Sequence, residues 1–321
     1  MAAKKETETQ KTTGRKQTAS KRPSASSAKK TSSAPRGNGN GKGQQKKKAV
    51  SYTHLPTRKA FGNKGTFGKA CLMAGSRNMA GAAYFSGKAA AITGTGLVRV
   101  VTEGCNREIL QTLFPEAVLT TEEMLSEETL VNALSWADAA GIGPGLSTGE
   151  AAEKELACVL TQAKIPLVLD ADALNILSKH PDWLKKGDTP KILTPHMGEM
   201  VRLSGHSMEE LKQKPLELAV AYAKEHEVIL VLKDARTVVT DGERIVLNTT
   251  GNNGMATGGS GDVLTGIIIG ILAQGMAPFE AAVSGVYLHG LAGDRAAENT
   301  GVRGMLSTDL LKELPGVLKE G

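Results

Sequence analysis

From Lys64 onward, short apolar runs rich in β-formers alternate with stretches whose apolar residues recur at helical spacing. The runs Lys69–Ala74, Leu97–Thr102, Ala117–Leu119, Ala137–Ile142, Pro166–Leu169, Ile192-Leu193 and Val228–Leu232 read as strands. Between them Ala80–Thr93, Glu108–Phe114, Glu127–Leu134, Gly149–Ala163 and Met208–Glu225 read as helices. Thr237–Thr240 and Arg244–Asn248 form a hairpin that turns at Asp241-Gly242, and beyond residue 262 the pattern is almost wholly helical. Repeated strand–helix alternation predicts an α/β fold, a mostly parallel sheet with helices on both faces. Right-handed crossovers then place the ligand crevice at the carboxyl ends of the strands. Gly75-Ser76, Gly143-Pro144-Gly145, Asp170, Thr194-Pro195-His196 and Lys233 each follow a predicted strand, so one composite site is expected there.

The N-terminal stretch breaks this pattern. Between Ala2 and Ala49 there is no Leu, Ile, Val, Phe, Tyr or Trp. Such a segment cannot bury enough apolar surface to offset its ordering entropy, so residues 1–49 are expected to be a disordered basic Lys/Ser/Gly-rich tail and residues 50–321 one domain. Residues 1–48 hold fourteen of the 39 Lys and Arg and two of the 33 Asp and Glu; the tail carries +12, the rest −6, and the overall +6 belongs to the tail. Weak contact with a polyanion and a solubilising extension both fit that composition. The tail lacks the apolar centre of a secretory signal, and the longest apolar run, Ile267–Ala273, is far short of a membrane span. Cys71, Cys105 and Cys158 form no paired motif and read as reduced, mostly buried thiols, which places the protein in the cytoplasm. With aromatics at 3%, Ala, Val, Leu and Ile must fill the core.

The densest chemical signal is Gly251 to Gly270, where six small residues, Ala256 to Gly261, precede Asp262 and a buried helix begins. Glycines let the backbone approach a ligand, and a helix start offers free amides and a positive dipole end, so Gly259, Ser260 and Gly261 read as an anion hole for phosphate. A lone carboxylate beside phosphate reads as a proton acceptor for a hydroxyl, or as a helix cap. Lys233, Asp234, Ala235, Arg236 and Thr237 end the strand Val228–Leu232 and read either as a nucleotide phosphate contact or as a charged turn. His196 and Glu199 share one face if a helix starts at His196; they orient a substrate or support a phosphate-bound Mg²⁺, or they complete a cap. Asp170 and Asp172 close a strand: Asp170, facing the crevice if that strand is buried, reads as an acid for metal- or phosphate-linked work or as a simple cap, and Asp172 as a helix cap. The glycines around Gly62–Gly68 and Gly75–Gly81 do not match the dinucleotide-binding fingerprint.

Taken together, Ala-Gly-Ser (74–76), Gly-Pro-Gly-Leu (143–146), Leu-Asp-Ala-Asp-Ala-Leu-Asn (169–175), Thr-Pro-His-Met-Gly-Glu-Met (194–200) and Gly-Asn-Asn-Gly-Met-Ala-Thr-Gly-Gly-Ser-Gly-Asp (251–262) resemble the ADP-dependent NAD(P)H-hydrate dehydratases of the ribokinase-like superfamily. The resemblance covers about residue 50 to the end. It implies a three-layer ribokinase-like fold and a metabolite-repair lyase that dehydrates the S form of hydrated NADH or NADPH with ADP (or ATP), releasing AMP and phosphate. It implies Asp262 as the catalytic base, and Ala82, Gly145, His196 and Asp262 as substrate contacts. Nucleotide contacts are implied at Lys233 to Thr237 and Gly259 to Gly261, with Mg²⁺ carried on the phosphates near Glu199. A homo-oligomer such as a tetramer, and a separate epimerase for the R form, are further implications. Small-molecule kinases of the superfamily carry Asn-x-x-Glu where this chain has His196-Met-Gly-Glu199, which favours the dehydratase over the alternative, a vitamin-type alcohol kinase. Asp234 stands where the dehydratases usually have glycine.

Overall fold

The computed structural model describes residues 55–319. The expectations for residues 1–49 therefore lie outside the described residues.

Nine strands form one sheet in the order β3-β2-β1-β4-β5-β6-β7-β8-β9. They are β1 (Lys69–Met73), β2 (Leu97–Glu103), β3 (Val118–Glu122), β4 (Ala139–Ile142), β5 (Leu167–Leu169), β6 (Lys191–Leu193), β7 (Ile229–Leu232), β8 (Val238–Thr240) and β9 (Ile245–Leu247). Pairings from β3 across to β7 are all parallel; β8 and β9 join antiparallel at the edge. Alternation along a buried strand sends successive side chains to opposite faces. Ala70, Leu72 and Ala74 pack into one apolar cluster, whereas Cys71 and Met73 pack into a second. That division makes the three layers.

The first cluster is closed by α1 (Ala80–Ile92), α9 (Ser260–Ala273), α10 (Pro278–Thr300) and α11 (Ser307–Leu318). The second is closed by α3 (Glu127–Trp136), α4 (Glu150–Gln162), α5 (Asp172–Leu177), α6 (Met197–Ser204), α7 (Met208–Gln213) and α8 (Pro215–His226), while the short α2 (Arg107–Leu113) lends Leu110 to the first. Helix α9 is buried on nearly every side. It lies against α1 without side chains between the backbones: a methyl on Gly266 would stand 2.1 Å from the Ser86 carbonyl oxygen, and one on Gly270 2.8 Å from that of Ala90.

Away from the site, the structure departs from the sequence reading as follows. The single helix expected over Met208–Glu225 is two, α7 and α8, because Pro215 has no amide to continue the first and holds Lys214 outside helical geometry (φ −133°, ψ 49°). Strand β3 runs later, to Glu122, carried by pairing with β2 rather than by its own apolar content. The hairpin loop takes in Asp241 to Arg244, with the Asp241 carboxylate accepting from the amides of Glu243 and Arg244. Cys71 is buried and Cys158 half-buried, but Cys105 is exposed.

Candidate active site

Chain order reverses between β1 and β4: the chain moves outward through β2 and β3, then returns to the other side of β1. Such a switch point splays the adjoining loops and opens a crevice at the strand ends. Here the two loops are stitched together, Gly75 N donating to Pro144 O (2.9 Å) and Ser76 N to Gly145 O (2.7 Å). Gly145 has φ +60°, and a methyl there would meet Ala82 Cβ at 2.9 Å, so the expected substrate residues Ala82 and Gly145 are direct neighbours. Asp172 helps hold this loop by accepting the Ser147 amide at 2.8 Å. It is the first residue of α5 rather than its cap, which is Ala171.

On the other half of the sheet a cavity of about 830 Å³ opens beside the ends of β6 to β9. Lys233, Asp234, Ala235, Arg236 and Thr237 line it, with His196, Ser260 and Gly261. The expected nucleotide residues are thus brought together, except that Gly259 lies behind the wall. Its φ of +91° turns the chain into α9, and a methyl would strike the Phe85 ring at 2.7 Å. Arg236 donates to Thr249 O at 2.8 Å, bracing the loop opposite. The Asp234 carboxylate is turned onto its own backbone, accepting from the Ala235 amide at 2.8 Å.

Helix α9 starts at Ser260, three residues before the apolar run, with Gly259 as N-cap and no side-chain cap bond. Asp262 is therefore not a capping residue. The first helical bond runs from Val263 N to Gly259 O (3.0 Å), leaving the Gly261 and Asp262 amides ahead of it, whereas Ser260 N is drawn back to Thr257 O at 3.3 Å. The amides left free at this helix start are thus those of Gly261 and Asp262, where Gly259 to Gly261 were expected.

Below it sits a buried polar floor. Asp170, 1% exposed, accepts from Thr194 Oγ1 (2.7 Å), Thr265 Oγ1 (2.7 Å) and Lys233 Nζ (2.8 Å). This corrects the view of Asp170 as a crevice-facing acid or cap: its oxygens are taken by the protein. Burial works against the Lys233 ammonium, yet the carboxylates of Asp170 and Glu199 outweigh it and raise its pKa. Asp262 is pushed up to about 7, by burial first and then by the Asp170 charge, with Lys233 opposing and Asp172 adding. A carboxyl poised there takes and returns a proton near neutral pH.

His196 and Glu199 form a reciprocal cap at the start of α6: Glu199 N donates to His196 Nδ1 (3.1 Å), and His196 N to Glu199 Oε2 (2.8 Å). His196 still borders the cavity with its side chain half exposed. Burial, then Lys233 and Arg202, lower its pKa, so the ring is neutral, as its acceptor role requires. Glu199 is buried and its pKa raised by that burial. Among the described residues no cluster of three or more His, Cys, Asp or Glu could hold a metal ion. A Mg²⁺ fits this donor set only as an ion carried mainly by phosphate oxygens, with Glu199 as the acid on hand.

The comparisons with known proteins bear directly on this geometry. A family model described as NAD(P)H-hydrate dehydratase matches residues 70–316. The chain belongs to the NAD(P)H-hydrate dehydratase family. A bifunctional NAD(P)H-hydrate repair enzyme of Moorella thermoacetica is 42% identical over 277 residues, 83% of this chain and 52% of that protein. The chain spans about half the length of such curated relatives. An ADP-dependent (S)-NAD(P)H-hydrate dehydratase of Neisseria meningitidis is 37% identical over 283 residues, 85% of this chain and 93% of that one. The crystal structure of the ADP/ATP-dependent NAD(P)H-hydrate dehydratase of Bacillus subtilis, co-crystallised with ATP and Mg²⁺, superposes with a TM-score of 0.74 at 34% identity, covering 84% of this chain and 95% of that one. The fold is ribokinase-like, as the resemblance implied.

Within this dehydratase-family site, several residues escaped the sequence reading. Asn248, Thr250 and Asn252 line the cavity, and Asn252 is fixed by Asp294 (3.1 Å), which also accepts the Gly251 amide (2.9 Å). His289 on α10 borders the cavity and meets Ser260 Oγ through Nε2 at 3.2 Å. Its pKa falls to about 4, chiefly through burial. The one visible signal was a lone His in the uncharged stretch Ala281 to Gly293 of that helix.

Proposed function

We propose that this protein dehydrates the S form of hydrated NADH or NADPH with ADP as co-substrate, releasing AMP and phosphate. The carrying observation is Asp262 itself: it sits in the first turn of α9 with a proton affinity near neutrality, next in the chain to Gly261, which lines the cavity walled by Lys233 to Thr237. In this reading ADP occupies the cavity, its terminal phosphate at the amides of Gly261 and Asp262, and the hydrated nicotinamide ring lies at Ala82, Gly145 and His196. Mg²⁺ supplies charge neutralisation on the phosphate oxygens.

The C6 hydroxyl oxygen bonds to the β-phosphorus while Asp262 takes its proton, and AMP leaves. Fixed amides and the Lys233 ammonium stabilise the charge on the transferring group, where preorganised donors matter most. The C6–O bond then breaks with loss of phosphate, C5 gives up a proton, and the C5–C6 double bond is restored. The water of hydration thus ends in phosphate. An R-form substrate would need an epimerase first, and a homo-oligomer remains part of this reading.

The test is recovery of the near-ultraviolet absorbance of reduced nicotinamide from hydrated NADH with Mg²⁺ and either ADP or ATP, with Asp262→Asn alongside. Nucleotide-dependent recovery that the variant loses supports the reading and names the nucleotide. A stable phosphate ester formed on an alcohol, without recovery, would instead assign a kinase.

A further inference from the structure

The Asp170–Lys233 pair has a geometry that ordinary structural salt bridges do not need. Asp170 is 1% exposed and accepts from a donor on each of three separate elements: Thr194 after β6, Thr265 on α9 and Lys233 after β7. Its own place is the carboxyl end of β5. The carboxylate therefore cannot swing, and the ammonium it holds cannot retreat. A methyl at Gly261 would lie 3.4 Å from Lys233 Nζ and 3.9 Å from Asp170 Oδ2, which puts the pair directly beneath the α9 turn. Lys233 keeps one-fifth of its side chain exposed on the cavity side while Asp170 keeps essentially none.

We propose that Asp170 is the positioning residue of this site: gripped by Thr194 and Thr265, it fixes the Lys233 ammonium at Gly261, where the phosphate is bound, and sets a stationary negative charge facing Asp262. Function follows from both halves of that arrangement. A lysine on a flexible stem is a point charge that loses rotamer freedom on binding anion; one already clamped gives its full effect without that cost. The fixed negative charge opposes ionisation of Asp262, and the ammonium favours it. The other charged or titratable groups near these three are Asp172 on α5, His196 and Glu199 on α6, Arg202 further along α6, and neutral His289 on α10. This inference rests on the proposed dehydration, but its test does not depend on turnover.

The test follows the Asp262 carboxyl by ¹³C NMR titration, its signal assigned by its loss in Asp262→Asn, together with ADP binding by calorimetry on the full chain. Asp170→Asn should move the Asp262 titration to lower pH, and Lys233→Gln should move it to higher pH. Asp170→Asn should also weaken ADP about tenfold, the scale of a lost charge-assisted hydrogen bond, and that effect should vanish in a Lys233→Gln background. If Asp170→Asn alone does not fold, because it strands a buried cation, the neutral pair Asp170→Asn with Lys233→Gln takes its place. Against Lys233→Gln alone, the pair should again titrate Asp262 at lower pH. Where turnover is present, the acid limb of kcat should move with the NMR titration. A folded Asp170 variant that leaves the Asp262 titration in place, or weakens ADP equally with and without Lys233, overturns the inference. A protein that restores no reduced nicotinamide yet shows these shifts would sink the proposed reaction and leave the positioning role intact.

Discussion

Asp262 and His289 are perturbed in opposite senses, and the two effects oppose each other in the pH dependence of stability. Asp262, at about 7 when folded, binds its proton more tightly than in the unfolded chain, so its contribution to stability is lost as pH rises from about 4 to 7. His289, at about 4 when folded, binds its proton less tightly than the unfolded imidazole, so stability is lost as pH falls from about 6.5 to 4. The two contributions should therefore offset each other across that window, while the Glu155 carboxyl, also pushed up to about 7 by burial, adds to the Asp262 slope. Relative to wild type, Asp262→Asn should lose melting temperature toward acid and His289→Gln should gain it, both by calorimetry; parallel profiles would refute the assignment. Activity should lose its acid limb to Asp262 alone, near pH 7, with none from His289. Asp262→Asn itself should cost about 10²- to 10⁴-fold in kcat, the usual range for a general base, with little change in ADP affinity. At this scale the sequence was legible where residues are packed into a contiguous motif, as at Ser260 and Gly261, which line the cavity at the start of α9. It was silent on the contacts of Thr194, Thr265 and His289, whose partners lie 24, 95 and 29 residues away. No local pattern records such a contact.

Among the elements, the α1–α9 pair sets the spacing of the site. Ala82 sits in the first turn of α1 and Asp262 in the first turn of α9, and the two helices touch backbone to backbone because Gly266 and Gly270 present no side chain. Gly266→Ala would drive a methyl into the Ser86 carbonyl, which has no flexible end that could give way. It should destabilise the protein by about 1–3 kcal/mol, the usual cost of overpacking, and lower kcat/KM for the hydrated dinucleotide while sparing ADP affinity. Denaturant melts and steady-state kinetics check both halves. Periodicity revealed the strands and most helices because burial dictates their composition. The Lys214–Pro215 break and the late run of β3 were hidden, the first because an apolar period continues across it and the second because β3 takes its register from β2.

Across the whole molecule, the sheet divides the work. The first turn of α1, after β1, and the loop after β4 carry Ala82 and Gly145; loops after β6, β7 and β9 wall the cavity, which the first turn of α9 also lines. Strand–helix alternation foretold the parallel sheet. It did not foretell the strand order, which depends on which way each crossover turns. The division has a kinetic meaning. On the proposed reading, neither ligand has to be seated for the other's contacts to exist, because the two residue sets barely overlap. Addition of nucleotide and hydrated dinucleotide should accordingly be random rather than ordered. An ADP analogue whose β-phosphate cannot be transferred, as a dead-end inhibitor, should compete with ADP and act noncompetitively against the dinucleotide; an uncompetitive pattern would mean a compulsory sequence. An enzyme so arranged waits for neither reactant, and whichever is scarcer in the cell sets its pace.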